Sequence, residues 1–191
     1  MIRFYDSRAE RTRVILKPAE LHISTTQEML TTVLGSCVAV CLWDPETRIA
    51  GMNHFVLSHR KDSTSGYPDE AAGRFGEDAM PALLEQLERA GAPRFRLAVK
   101  LFGGAMIINK ECKSNCVGDE NIKTARAFLA QRGMPIVAED VGGTVGRRIH
   151  FDGQTGRVEM ERLTRFNSSI ANDPIHGTST EPSSPFERII Y

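Results

Sequence analysis

Two apolar, β-branched runs flanking one polar turn constrain this chain more than any other feature. Val33-Leu34-Gly35-Ser36-Cys37-Val38-Ala39-Val40-Cys41-Leu42-Trp43 is followed by Asp44-Pro45-Glu46-Thr47-Arg48, and then by Ile49-Ala50-Gly51-Met52-Asn53-His54-Phe55-Val56-Leu57. Strand-forming runs joined by an Asp-Pro turn predict a β-hairpin. If the hairpin turns tightly at Asp44-Pro45-Glu46-Thr47, the register that pairs 44 with 47 also pairs 37 with 54, bringing the Cβ atoms of Cys37 and His54 to about 5 Å. A thiol beside an imidazole is the arrangement that thiolate formation requires. Taken singly, a strand cysteine is more often a small buried hydrophobe and a strand histidine a satisfied core residue. Their pairing across one hairpin, with Cys37 just after a Gly-Ser turn that exposes a nucleophile, favours chemistry.

The remainder of the chain predicts a mixed α/β domain. Residues 1–14 read as a charged lead-in, with Val14, Ile15 and Leu16 offering one short strand. Ala79, Leu83, Leu84, Leu87 and Ala90 fall at helical spacing before Gly91, and Ile122, Ala125 and Leu129 do so before Gly133. Residues 95–108 read as a strand that ends at Gly103-Gly104. Residues 134–163 read as short strands punctuated by Gly142-Gly143, Gly146 and the turn Asp152-Gly153-Gln154-Thr155-Gly156. Residues 164–191 are rich in Ser, Asn, Thr, Pro and Glu and predict a flexible tail, which ends in an apolar cluster of Phe186, Ile189, Ile190 and Tyr191. That cluster is either an inert terminus or a short docking motif.

Bulk properties narrow the function class. A length of 191 residues with 41% hydrophobic residues suits one domain with a real core, and 24 basic against 24 acidic residues give no net positive field for nucleic acid. No apolar run approaches the roughly 18 residues of a membrane span, and the N-terminus lacks a signal-peptide core, so a cytoplasmic location is expected. In that compartment thiols are expected to stay reduced. The four cysteines form two CxxxC pairs, Cys37/Cys41 in an apolar stretch and Cys112/Cys116 in a polar one. Cys41 is expected to pack in the core. Cys112 and Cys116 could bind zinc with outside ligands, form a disulfide under oxidation or have no role; they offer only two of the four ligands that a closed zinc site needs, and His59, His150 and His176 show no ligand spacing, so neither a metal nor another cofactor is expected. The glycine pairs at 103–104 and 142–143 either bring backbone close to a substrate or form tight strand-end turns, and no phosphate loop accompanies them.

Several separated segments together resemble the CheD family of chemoreceptor glutamine deamidases. They are TVLGSCVAVCLWDPETRIAGMNHFVL, the stretch from Tyr67 to Leu87, KLFGGAMI at 100–107, VGDEN at 117–121, and DVGGTVGRRIHFDGQTGRV at 140–158. Their order makes the resemblance specific over residues 15–163. It implies β-sheets packed on each other with helices outside. It also implies a protein-glutamine glutaminase in which Cys37 is the nucleophile, His54 its base and Thr31, six residues before the cysteine, the residue orienting the imidazole. A shift of one position would give that last role to Thr32. Ser36 and Gly35 at the turn are the expected oxyanion and substrate-binding positions. The implied substrates are glutamines on methyl-accepting chemotaxis receptors, with glutamyl methyl esters as a second class and the CheC phosphatase as a further partner. Cys112 and Cys116 depart from the family pattern. The rival functions are a thiol hydrolase with another acyl donor and a regulatory binding module of the chemotaxis system.

Overall fold

The computed structural model describes residues 1–60, 73–107, 116–163 and 188–191. Its strands form two sheets, and the alternation of apolar residues along them explains why. In β5 (Val38–Trp43), Val38, Val40 and Leu42 face one way and Ala39 and Cys41 the other, and all five are buried. A strand covered on both faces must lie between two layers. On one side stand the helices α1 (Gly76–Arg89) and α2 (Val117–Gln131), which meet Val38, Val40 and Leu42 with Leu83, Leu87 and Ile122. On the other side stands the second sheet, which meets Ala39 and Cys41 with Leu30, Leu34, Ile149 and Phe151.

The sheet beneath the helices has the order β3 (Glu20–Ser24), β6 (Ala50–His54), β5, β7 (Ala98–Gly103) and β8 (Ile136–Val141). The other has the order β1 (Ile2–Asp6), β2 (Arg11–Ile15), β4 (Met29–Leu34), β9 (Gly146–Asp152), β10 (Val158–Leu163) and β11 (Arg188–Ile190). The expected mixed α/β domain with layered sheets and external helices is therefore the observed fold. β4 and β5, which read as one continuous run in the sequence, lie in different sheets. Residues 35–37 form the corner between them.

The β5–β6 hairpin forms with a wider turn than expected. Its pairs are Cys41 with Met52, Leu42 with Gly51 and Trp43 with Ala50, a shift of two from the tight register. Asp44 accounts for the shift. Its backbone N–H donates to the Ile49 carbonyl at 3.0 Å, its carbonyl accepts from Arg48 N at 2.8 Å, and its carboxylate accepts from Glu46 N and the Thr47 hydroxyl. Arg48 adopts φ of 57°, completing a four-residue loop. A shift of two conserves facing, so Cys37 and His54 remain on the same side of the hairpin as diagonal neighbours rather than direct partners.

Expectations about both ends of the chain change. The lead-in of residues 1–14 is a hairpin built into the sheet: β1 pairs antiparallel with β2, and β2 pairs parallel with β4. Its turn is set by the Asp6 carboxylate, which accepts from the Arg8 and Ala9 amides. Only Val14 in these strands is fully buried, which is why the pattern read as weak. The end of the expected tail is likewise structural, since β11 pairs with β10. The Tyr191 ring meets Phe102 edge-on at 5.4 Å, and its hydroxyl donates to Asp140 at 3.0 Å. Residues 164–187, including Phe186, lie outside the described residues, as does Cys112.

The Tyr191 contacts join the two sheets, so Tyr191→Ala is expected to destabilise the fold by about 2 kcal/mol. Denaturant unfolding measures this, and a midpoint equal to that of the parent would show that the C-terminal contacts contribute nothing.

Candidate active site

The corner at residues 35–37 is held by its carbonyls. The Gly35 oxygen accepts from Ala105 N at 2.7 Å and the Cys37 oxygen from Gly104 N at 2.8 Å. The Ser36 oxygen accepts from Asn121 Nδ2 at 3.0 Å. A trans peptide points its N–H opposite to its C=O. Fixing the Gly35 and Ser36 carbonyls against β7 and α2 therefore turns the Ser36 and Cys37 amides the other way. Among the described residues neither amide donates to a backbone carbonyl. Gly103 is essential to this packing: at φ of 112° its Cα lies so close that a Cβ would stand 2.2 Å from the Cys37 oxygen. Gly104, at φ of 71°, gives α2 the same close approach through Gly118. The first glycine pair thus serves the approach of backbone to the corner and the helix.

Further support comes from β9. The buried Arg147 guanidinium crosses to the other sheet, where it donates to the carbonyls of Gly103 at 3.1 Å and Gly142 at 2.5 Å and pairs with Asp140 at 2.7 Å. Gly142 N donates to Gly103 O, and Met106 N to Gly143 O, so the second glycine pair closes the same end of the sheet. Neither Arg147 nor Asn121 stands out in the sequence as part of a site. The available signals were an arginine in an alternating strand and an asparagine on the buried face of a helix, four residues before Ala125 and eight before Leu129.

His54, at the end of β6, is 2% exposed and points into the space between the sheets. There its Nδ1 lies 2.7 Å from the Thr32 hydroxyl. That hydroxyl also bonds the Leu16 carbonyl at 2.9 Å. A carbonyl can only accept and a hydroxyl carries one proton, so Thr32 donates to Leu16 and accepts from His54. Nδ1 consequently carries a proton, and in the neutral imidazole Nε2 presents a lone pair. Nε2 is buried and has no hydrogen-bond partner among the described residues. Such an atom is available as a base.

Thr31 is placed elsewhere. β4 alternates, with Leu30, Thr32 and Leu34 facing the gap, so Thr31 faces the opposite side, where its hydroxyl meets His150 Nδ1 at 3.0 Å. The orienting contact expected of Thr31 is made by Thr32. The apolar residues at 30 and 34 carried this information, since they share a face with 32 and not with 31.

Cys37 is partly exposed at the corner and packs against the inter-sheet core, on the face from which His54 projects. Desolvation by the surrounding protein pushes its thiol up to about 12 and holds His54 down to about 4. The resting pair is therefore neutral, thiol and imidazole, rather than the thiolate that simple proximity suggests. Cys41 is fully buried between the sheets, its thiol also raised by desolvation, as core packing requires. Cys116 is the buried N-cap of α2 and is disulfide-bonded, one of the outcomes open to the polar CxxxC pair. Among the described residues no three His, Cys, Asp or Glu side chains converge to hold a metal, and no helix is long and apolar enough to cross a membrane.

Comparison with known proteins identifies the family. A family model described as CheD chemotactic sensory transduction matches residues 56–162. The chain is 45% identical over 141 residues to the probable chemoreceptor glutamine deamidase CheD 1 of Geobacter sulfurreducens, covering 72% of this chain and 70% of that one. It is 40% identical over 148 residues to the probable chemoreceptor glutamine deamidase CheD 2 of Shewanella oneidensis, covering 75% and 73%. It is also 40% identical over 161 residues to the corresponding protein of Bordetella avium, covering 84% and 70%. With the family model over residues 56–162 and these relatives over most of its length, the chain belongs to the CheD family of chemotactic sensory transduction proteins.

Proposed function

We propose that this protein is a cytoplasmic amidohydrolase that converts glutamine side chains of methyl-accepting chemoreceptors to glutamate, with Cys37 as nucleophile. The observation that carries this reading is the Thr32–His54 bond. It puts a proton on Nδ1, so that in the neutral imidazole the lone pair sits on the buried Nε2 of a residue that shares its hairpin face with Cys37. The family relationship supplies the substrate class.

The reaction follows from the groups present. His54 Nε2 takes the Cys37 Sγ proton as sulfur attacks the glutamine Cδ, and the carbonyl π electrons move to oxygen. The Ser36 and Cys37 amides, turned away from the pinned carbonyls, are the donors for that oxyanion, with Gly35 giving the corner its shape. On collapse the C–N bond breaks, and the nitrogen leaves as ammonia with the proton from His54. A water then attacks the thioester, giving up a proton through His54, and the product carboxylate leaves Cys37 restored. Each turnover adds one negative charge to the receptor, a local electrostatic change able to shift its signalling equilibrium. A glutamyl methyl ester offers the same carbonyl with methanol as leaving group, so it is a second substrate for the same atoms. The CheC phosphatase remains a candidate partner through the family.

A neutral pair in a dry site shapes the rate. Separating charge between Cys37 and His54 is unfavourable until an oxyanion and its donors are present, so activation is coupled to substrate entry rather than stored in the resting enzyme. Cys37 should accordingly alkylate slowly with iodoacetamide at neutral pH and faster as the pH rises, always ahead of buried Cys41. Equal labelling of the two cysteines would contradict the placement of the corner.

Ammonia release from a glutamine-bearing receptor fragment is expected to vanish in Cys37→Ala and His54→Ala. It should fall about 10²-fold in Thr32→Val, because a misoriented base forfeits most general-base catalysis. Thr31→Val should remain near the parent rate, and the reverse order of the two threonine variants would overturn the assignment. Ammonia release on intact receptor also separates this reading from a thiol hydrolase acting on another acyl donor.

Burial of neutral His54 links stability to pH. In the unfolded chain the imidazole takes a proton below its ordinary value of 6.5, whereas in the fold it resists until about 4, so the unfolded state binds more protons between those values. The contribution is complete above pH 6.5 and is lost as the pH falls towards 4, amounting to about 3 kcal/mol. Unfolding midpoints from pH 7 to 4 should therefore decline more steeply in the parent than in His54→Gln, and parallel declines would contradict the burial argument.

A further inference from the structure

Asn121 occupies the first turns of α2, is fully buried, and has one side-chain amide that donates twice. Its Nδ2 bonds the Ser36 carbonyl at 3.0 Å and the Val56 carbonyl at 2.9 Å. Ser36 immediately precedes Cys37, and Val56 lies two residues after His54. In the hairpin register continued from Val38 and Phe55, Val56 stands opposite Cys37. Both acceptors are carbonyls, so both bonds require the –NH₂ of the amide, and its orientation is fixed.

The hairpin needs this link. The regular β5–β6 ladder ends at Cys41 and Met52, and the Asn53 side chain, not its backbone, accepts from Val40 N at 2.8 Å. Among the described residues the Val38–Phe55 bridge is the last main-chain link between the two strands, and past it no main-chain bond joins the Cys37 segment directly to the Val56 segment. The geometry points to Asn121 as a positioning residue that clamps the nucleophile segment and the base segment at a fixed separation, by donating one hydrogen bond to each. The role is confined to setting the approach of Cys37 Sγ to His54 Nε2, and Asn121 itself need not touch the substrate. This inference rests on the Cys37–His54 reading above.

Two helix-local features favour a positioning role over simple packing. Asparagine is a poor helix interior residue, because its side chain competes for backbone groups, so its presence on a buried helix face has an intrinsic cost. Gly118, one turn earlier, lets the helix approach Gly104 closely, with a would-be Cβ 2.4 Å from the Gly104 oxygen. The amide is thus delivered to the corner by a helix that is itself seated against β7.

The test compares Asn121→Ala and the isosteric Asn121→Asp with Leu129→Val, a core truncation two turns along the same helix. Ammonia release from a receptor fragment, thermal unfolding and the pH dependence of Cys37 alkylation are measured on the full-length chain. The expected result is a fall in kcat of about 10²-fold with KM little changed in both Asn121 variants, from misplacement of the reacting pair. Leu129→Val should lose stability while keeping kcat. Alkylation of Cys37 should change its pH profile in the Asn121 variants and not in Leu129→Val. If Asn121→Ala does not fold, Asn121→Asp, which keeps the volume and can donate at most one of the two bonds, carries the comparison. A kcat loss no larger than that of Leu129→Val, or an unchanged alkylation profile, overturns the clamp. If the parent releases no ammonia that depends on Cys37, the functional reading fails, while the alkylation profiles still decide whether Asn121 sets the environment of the thiol.

Discussion

A hydroxyl has one proton to give, and Thr32 gives its proton to the Leu16 carbonyl. Everything proposed for the site follows from that constraint. The imidazole must donate from Nδ1, burial keeps it neutral so that its other nitrogen is bare, and that nitrogen is buried without a partner among the described residues. The contact exists because β4 and β6 lie in different sheets whose inner faces meet, so Thr32 and His54 approach across the core rather than along one strand. Leu16 N also donates to the Thr31 carbonyl, which locks the chain after β2 against β4 and fixes the acceptor of the threonine proton. The N-terminal hairpin, far from being a lead-in, helps to hold His54.

A threonine in this position supplies orientation without charge. A carboxylate would stabilise imidazolium and raise its pKa, whereas a hydroxyl between two neutral groups leaves burial to dominate, holding His54 low and Cys37 high. The resting enzyme is therefore chemically quiet. That property suits the proposed role, because an unengaged thiolate would react with other electrophiles. The carbonyls bound at 35 and 36 complement this arrangement: under the proposed mechanism they turn the Ser36 and Cys37 amides into place before any substrate arrives and leave little reorganisation for the transition state.

The hairpin, the helices at 76–89 and 117–131, and the strands ending at 103 and 141 were legible because each carries a clean period or a glycine stop. The pairing of Cys37 with His54 on one face survived a register error of two residues, because facing repeats every two. A shift of one would have destroyed it. The Asp44 turn could not be sized from sequence, since its four-residue loop depends on a carboxylate accepting from Glu46 and Thr47 at once. The choice between Thr31 and Thr32 was legible in the alternation of Leu30 and Leu34. Counting back from the cysteine missed it because the corner at 35–37 breaks the strand phase. Asn121, Arg147 and the seating of Tyr191 were beyond reach, because the contacts of Asn121 with Ser36, Arg147 with Gly103 and Tyr191 with Phe102 each join residues 44 or more positions apart.

The central claim is that Thr32 fixes His54 as the Nδ1–H tautomer with a free Nε2. Nitrogen-15 NMR of the histidine side chains in the full-length protein measures this directly. The account predicts that between pH 5 and 8 His54 shows a protonated Nδ1 and an unprotonated Nε2, and that Thr32→Val, but not Thr31→Val, disturbs this pattern. A His54 that carries its proton on Nε2, or that titrates near its ordinary value of 6.5, would contradict it.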